Sequence, residues 1–235
     1  MRLPGAHVTF TDRRGGVSEG PYESLNLGIL TDDSPDRVIE NRRRAAASAG
    51  VEPEHVAMGW QVHGTALKEW TEPPPDRAYA FPGDKDLERV DGHLTRERGL
   101  GLLVLVADCF PVALSDGDQV AMLHCGWRPL AGGIVEGALA RFGSTPSAAV
   151  GPGIGGCCYE VGEDVLSAFS GIGGASAGRM LDLRRVIVSK LAGAGVTDVQ
   201  HVDACTSCSP DLYFSHRRDG GVTGRQAGII VRDGA

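Results

Sequence analysis

Residues 107–127 read Ala-Asp-Cys-Phe-Pro-Val-Ala-Leu-Ser-Asp-Gly-Asp-Gln-Val-Ala-Met-Leu-His-Cys-Gly-Trp, and this stretch decides the fold. Two apolar runs, Val112 to Leu114 and Val120 to Leu123, flank Asp116-Gly117. Asp-Gly between apolar runs is a strong hairpin signal, because a type I′ turn needs positive φ at both central residues. With Asp116 and Gly117 as a two-residue loop, Ser115 faces Asp118 and Cys109 falls directly opposite His124. Opposed side chains in such a pair have Cβ atoms about 5 Å apart on one face of the sheet. A thiol and an imidazole so placed can share a metal ion or exchange a proton. One residue of slip would turn one of them to the other face. Pro111 cannot donate to a ladder and therefore reads as a bulge or an unpaired edge near Cys109.

The strand before the hairpin supports this placement. Leu100 to Val106 is a continuous apolar run, as in a central strand covered on both faces, and it feeds directly into Asp108 and Cys109. Upstream, Val56, Met58, Trp60 and Val62 alternate with Ala57, Gly59, Gln61 and His63, the period of a strand over 56–63 with one buried face. His63 ends that strand on the face away from the apolar residues. Between the two lies a Pro- and charge-rich loop, residues 71–90, whose flanking strands read as parts of one sheet. Asp91-Gly92-His93 follows it, with His93 read as structural.

Towards the N-terminus, Val8 to Phe10 is a short strand, and 13–18 and 22–28 are structured loops rich in turn residues. Arg13 and Asn26 on these loops are ordinary polar groups or a substrate clamp, since binding residues favour loops held on a rigid scaffold. Ser34 as cap, Pro35 in the first turn and Gly50 as stop bound a helix over 35–50. Asn41 and the arginines that follow it read mainly as its solvated face. Beyond the hairpin, a helix is expected from Pro129 to Gly143, a strand over 148–150, helices over 163–170 and 181–194, and strands over 199–202 and 226–231. Gly151-Pro152-Gly153-Ile154-Gly155-Gly156 lacks the spacing of a dinucleotide turn and reads instead as backbone amides approaching a ligand oxyanion. Cys205-Thr206-Ser207-Cys208 has no second pair at matching spacing, because Cys157 and Cys158 are adjacent, so its cysteines read as buried small residues. Arg217, Arg218 and Arg225 beside a Gly-rich turn are either anion-binding forks or ordinary surface charge.

Composition bounds the function class. The chain has 235 residues, 42% of them hydrophobic, enough for one large domain with a sizeable core. Its net charge of −7 and the lack of a Lys/Arg-rich run argue against binding driven by nucleic-acid phosphates. No apolar span approaches membrane length, and charges and turn residues fill the first twenty positions in place of a signal peptide. Six cysteines in such a chain read as reduced thiols, so a cytoplasmic location is expected.

A set of ordered motifs then carries a resemblance. They are Arg-Arg-Gly-Gly-Val-Ser at 13–18, Ser-Leu-Asn-Leu-Gly at 24–28, Gln-Val-His-Gly at 61–64, Ala-Asp-Cys at 107–109 and His124 through Arg128. Gly151-Pro152, Tyr159-Glu160-Val161, Cys205-Thr206, Phe214-Ser215 with Arg217-Arg218, and Thr223-Gly224-Arg225 complete it. Together, over practically the whole chain, they resemble the YfiH-like laccase-domain family, also called multicopper polyphenol oxidase or peptidoglycan editing factor. Cys125 and Pro129 depart from the family's usual His-Ala-Gly-Trp-Arg-Gly. The resemblance implies a mixed α/β fold, one domain over 1–235 with packed mixed sheets flanked by helices. It also implies a zinc site on His63, Cys109 and His124, and phosphorolysis of inosine, adenosine and methylthioadenosine with adenosine deamination alongside.

The residues support that chemistry and leave rivals open. Three N/S ligands keep a fourth tetrahedral position available, the pattern of a catalytic zinc, which activates water near neutral pH for attack at C6 of adenine. Asp108 is the candidate general acid or base, and Arg13, Arg217 and Arg225 are candidate phosphate anchors, with Asn26 for further polar recognition. The same His₂Cys set suits a single copper, so a copper-loaded polyphenol oxidase is one alternative. Another is a peptidoglycan-precursor amidase using Cys109 as nucleophile and His124 as base. The expected partners are a small purine nucleoside and phosphate, with no nucleic acid and no membrane, and the oligomeric state stays open.

Overall fold

The computed structural model describes residues 1–81 and 87–234. In chain order its elements are β1 (Arg2–Leu3), β2 (Ala6–Phe10), α1 (Pro35–Ser48), β3 (Val56–Ala57), β4 (Leu67–Trp70), β5 (Gly92–Thr95) and β6 (Gly101–Val106). They continue with β7 (Phe110–Ser115), β8 (Val120–Cys125), α2 (Trp127–Gly132), α3 (Ile134–Leu139), β9 (Ser147–Val150) and α4 (Glu163–Ser167). Then come β10 (Ser176–Ala177), β11 (Met180–Leu181), α5 (Leu183–Gly193), β12 (Val199–His201) and β13 (Gln226–Arg232). This is the mixed α/β class expected from the sequence.

Two mixed sheets form the centre. One has strand order β1-β2-β13-β6-β3, the other β12-β9-β7-β8-β5-β4. Their facing sides share one core, where Leu102, Val104 and Val106 of β6 meet Ala113 of β7 and Met122 of β8. The opposite side of β7 and β8 sends Val112, Leu114 and Leu123 against α2, α3 and α5, while Leu103 and Ile229 face Ala45 and Ala46 of α1. Helices therefore cover the outside of both sheets. Strands buried on both faces explain why β6, β7 and β8 are apolar without alternation.

The hairpin has the expected strands and a longer turn. Ser115 pairs with Val120 and Pro111 with His124, so four residues, Asp116 to Gln119, make the loop. Asp116 builds it: its Oδ1 accepts from the N–H of Asp118 at 3.0 Å and of Gln119 at 2.8 Å, while Gly117 takes φ 95°. An aspartate that bonds the backbone ahead of it stabilises this wider turn over the two-residue one. The register shifts by two residues, which preserves facing. Cys109, just before β7, still lies on the same face as His124, now diagonal to it. Pro111 lies in the ladder without a bulge, because the His124 N–H points away from it, to Asp91 O at 2.8 Å.

Other expectations need correction. The strand expected over 56–63 contains only Val56–Ala57; Trp60, Val62 and His63 lie in a loop, with Trp60 and Val62 exposed. The helix expected from 129 to 143 divides at Gly133, whose φ of 89° breaks it into α2 and α3. Ser34 precedes α1 without a side-chain cap bond. Asn41 and Arg42 of α1 are fully buried. Asn41 donates to Asn26 O and Ser18 Oγ and accepts from the Val17 N–H, and Arg42 donates to the carbonyls of Leu27, Ala78 and Tyr79. Buried polar groups of this kind are retained because they satisfy loop backbone that has no ladder partner. The expected loop 71–90 lies partly outside the described residues.

Candidate metal centre

Asp91 organises the site. It precedes β5, and its carboxylate is fully buried. Three consecutive backbone N–H groups donate to it, Val62 at 3.0 Å, His63 at 3.0 Å and Gly64 at 2.8 Å, which curls the 61–64 loop into a nest with His63 at φ 58°. A fourth bond joins Asp91 Oδ1 to His124 Nδ1 at 2.7 Å. One carboxylate thus positions two histidines that are far apart in sequence. Burial acts to raise the Asp91 pKa, but the bonds from His124 and the backbone outweigh it and hold the carboxyl below its ordinary value.

With Nδ1 engaged, His124 presents Nε2 to the cavity. Cys109 Sγ lies 3.9 Å from His63 Nε2, and the two imidazoles meet edge to face at 4.8 Å between centroids. One donor atom from each of His63, Cys109 and His124 falls within 4.8 Å of the others. Zinc bonded to one thiolate and one imidazole holds its S and N about 3.5 Å apart. The donor set therefore fits, and Asp91 is the outer carboxylate that orients a metal-binding histidine. Gly126 keeps the space open, since a Cβ there would lie 2.8 Å from Cys109 Sγ.

Without metal the same groups form a charged pair. Burial pushes the Cys109 thiol up, yet the His124 imidazolium and hydrogen bonds from both histidines bring it down to about 6. Burial pushes His124 down, and the Cys109 thiolate with Asp91 raises it to about 9.

The three donors stand in a cavity of about 600 Å³. Asp108 and the apolar side chains of Met58, Trp60 and Leu105 line it, with the buried Arg42 and with Arg128, Arg217 and Arg225 as its cations. Asp108 accepts from Thr206 Oγ1 at 2.6 Å and from the Arg217 N–H at 2.8 Å. Arg225 donates to the carbonyls of Thr223 and Gly224 through Nη1 alone, Arg217 to Glu160 O through Nη1 alone, and Arg128 stacks on Trp127 at 4.3 Å. Among the described residues, each keeps guanidinium donors for a ligand.

Arg13 and Asn26 sit outside this lining. Arg13 stacks on Phe214 at 4.6 Å and donates to Glu23 O and Pro210 O. Asn26 is buried, accepting from the N–H groups of Gly28 and Arg225. It thereby fixes the backbone from which Arg225 projects. Three amides of the Gly151–Gly156 stretch, expected to approach a ligand, are taken up by the protein: Gly151 N–H donates to Pro111 O, Ile154 N–H to Asp108 O and Gly155 N–H to Cys205 Sγ. Those glycines serve packing instead: a Cβ on Gly153 would lie 2.6 Å from the Phe110 ring. Sequence reasoning missed Asp91, Thr206 and Arg128. The available signal for Asp91 was a carboxylate directly before a strand that neighbours the hairpin.

Comparison with known proteins gives the family of the chain. A purine nucleoside phosphorylase of Streptomyces coelicolor is 40% identical over 243 residues, covering 97% of this chain and 96% of its own. The purine nucleoside phosphorylase YfiH of Escherichia coli is 34% identical, with 96% and 93% covered. Among solved structures, the YfiH protein of Bacillus licheniformis superposes with TM-score 0.88 at 31% identity over 96% of this chain and 92% of its own. YlmD from Geobacillus stearothermophilus gives 0.85 at 32% identity over 98% and 93%. The family model described as multi-copper polyphenol oxidoreductase laccase matches residues 7–233, and the chain belongs to that YfiH-like family.

Proposed function

We propose that the protein is a zinc-dependent purine nucleoside phosphorylase acting on inosine, adenosine and methylthioadenosine, with adenosine deaminase activity. The observation that carries this reading is the convergence on one cavity of the His63–Cys109–His124 donor set and three arginines with donors to spare. The names of the relatives point the same way. A volume of about 600 Å³ lies in the range of small-molecule sites. Its apolar walls suit a purine ring.

His63, Cys109 and His124 would hold the zinc, which when bound supplies a Lewis acid and an activated water. Arg128, Arg217 and Arg225 bind and orient phosphate through guanidinium forks matched to its oxygens. Burial lowers the Arg225 pKa and Asp108 and Cys109 oppose that effect, so the guanidinium stays charged. Asp108, oriented by Thr206 and the Arg217 N–H, retains lone pairs with which to take a proton from the attacking phosphate and return it to the departing base. Asp91 keeps the His124 proton on Nδ1 and its Nε2 lone pair directed inward. No group of three histidines converges among the described residues, so a trinuclear copper cluster is not part of this reading. A single copper on the same three donors is the alternative loading.

A specific observation supports a second reading. Cys109, His124 and Asp91 also stand as nucleophile, base and orienting carboxylate, the arrangement of a thiol amidase acting on peptidoglycan precursors. Incubation with inosine separates the two. The phosphorylase reading expects hypoxanthine only when phosphate is present, and loss of activity on chelation. Base release at the same rate without phosphate would refute phosphorolysis. Faster amino-acid release from a UDP-linked muramoyl substrate, unaffected by chelators, would establish the amidase.

A further inference from the structure

Four of the six cysteines form a second cluster, away from the cavity. The turn at 155–158 carries Cys157 and Cys158, and the turn at 205–208 carries Cys205 and Cys208. Their sulfurs all lie within 4.8 Å of one another, with Cys158 Sγ 3.3 Å and Cys157 Sγ 3.6 Å from Cys208 Sγ. No two of them form a disulfide. The cysteines of the 205–208 turn are therefore not the buried small residues expected from the sequence; Cys208 is exposed and Cys205 half-buried. The adjacent pair can converge because it lies in a turn, where Cys158 N–H donates to Gly155 O at 2.9 Å. In a strand the two side chains would point to opposite faces.

The geometry points to a second, structural zinc site made by Cys157, Cys158, Cys205 and Cys208. A tetrahedral zinc with Zn–S bonds of about 2.3 Å sets its sulfurs about 3.8 Å apart, inside the observed spread. The cluster is too tight for the wider spacing of a multi-iron centre. Gly155 N–H donates to Cys205 Sγ at 3.2 Å, a bond that favours a thiolate ligand, and a Cβ on Gly155 would lie 3.2 Å from Cys157 Sγ. Four soft ligands that fill the coordination sphere leave no position for substrate, the pattern of a structural site. Loading forms four Zn–S bonds and releases to solvent the protons of whichever thiols still carry them.

Such a site has a task in this fold. It staples two turns that support the cavity: Ile154 N–H holds Asp108 O, and Thr206, within the second turn, holds Asp108 Oδ1. Backbone contact between the turns is slight, consisting of the Gly153–Cys205 bridge and the Thr206 N–H bond to Gly153 O. A metal bridge would fix their separation, and with it the Asp108 carboxylate.

Zinc content of protein purified anaerobically tests this without reference to any substrate. The parent should hold about two zinc ions per chain, and Cys205→Ser/Cys208→Ser and His63→Ala/Cys109→Ala about one each. X-ray absorption at the zinc edge of His63→Ala/Cys109→Ala should show an all-sulfur shell of four. That measurement stands even if the Cys205→Ser/Cys208→Ser variant fails to fold. A parent with one zinc that disappears in His63→Ala/Cys109→Ala would overturn the proposal, as would a disulfide among the four cysteines, or iron in place of zinc at this cluster.

Discussion

Replacing Asp91 by Asn tests the organisation of the site most directly, because it changes one oxygen for one NH₂ at nearly constant volume. Asp91 Oδ2 accepts from Val62 and Gly64, and Oδ1 from His63 and His124 Nδ1. Whichever way the amide turns, its NH₂ faces two donors. Leaving a buried donor unsatisfied costs about 1–3 kcal/mol, so the metal-free Asp91→Asn protein should lose about 2–6 kcal/mol of stability with the NH₂ towards Val62 and Gly64, and about 1–3 kcal/mol if it faces His124 and His124 accepts from it. That is a large share of the roughly 5–15 kcal/mol that holds a domain folded. If the NH₂ faces His124, the imidazole can meet it only by accepting at Nδ1, which moves the proton to Nε2 and blocks the lone pair that would bind metal. Loss of such an outer carboxylate costs about 10–100-fold in metal affinity, or about 1.4–2.8 kcal/mol. Urea unfolding of the metal-free protein and zinc competition against a chromophoric chelator measure the two effects separately. An Asp91→Asn protein with unchanged stability and a zinc Kd within twofold of the parent would refute the reasoning.

Other perturbations probe the remaining layers. Arg225→Ala or Arg128→Ala should weaken phosphate-dependent turnover by about 1.5–3 kcal/mol, a charge-assisted bond's worth, seen as a higher KM for phosphate with stability little changed. In metal-free protein the ultraviolet thiolate absorbance of Cys109 should titrate near pH 6; a midpoint above pH 8 would contradict the pairing. The lowered Cys109 pKa adds stability that is full above its ordinary 9.0 and lost as pH falls through about 6, whereas the raised His124 pKa adds stability that is full below 6.5 and lost as pH rises through about 9. Between pH 6.5 and 9 the pair binds one proton in both folded and unfolded states, so its contribution should be flat there and decline on further acidification. Gly228→Ala on β13 would set a Cβ 2.5 Å from Pro111 Cβ and 3.0 Å from Met122 Sδ, and should lower stability by about 1–3 kcal/mol in thermal unfolding by separating the two sheets.

The sequence by itself determined the elements whose signals are local. The apolar run at 100–106 and the Asp-Gly break between two apolar segments placed β6, β7 and β8, and the alternation inherent in strands placed Cys109 and His124 on one face. That facing survived a loop of the wrong length, because the register moved by two residues and side-chain direction repeats every two. Ordered motifs along the chain carried the resemblance to the YfiH-like family. What only the tertiary structure decided involves partners distant in sequence. His63 belongs to no strand; it is held by Asp91, whose bonds to residues 62–64 and 124 close gaps of roughly thirty residues that no local pattern encodes. Asn41 and Arg42 look like a solvated helix face until the loops at 17–27 and 78–79 bring carbonyls to them. Cys205 and Cys208 have half of a metal-binding spacing and the adjacent Cys157 and Cys158 do not match it; the four converge because two turns meet where β9 and β12 run in parallel. Periodicity reports which face of an element is buried, whereas convergence of polar groups depends on how those faces are assembled, and that information lies in the packing of the whole chain.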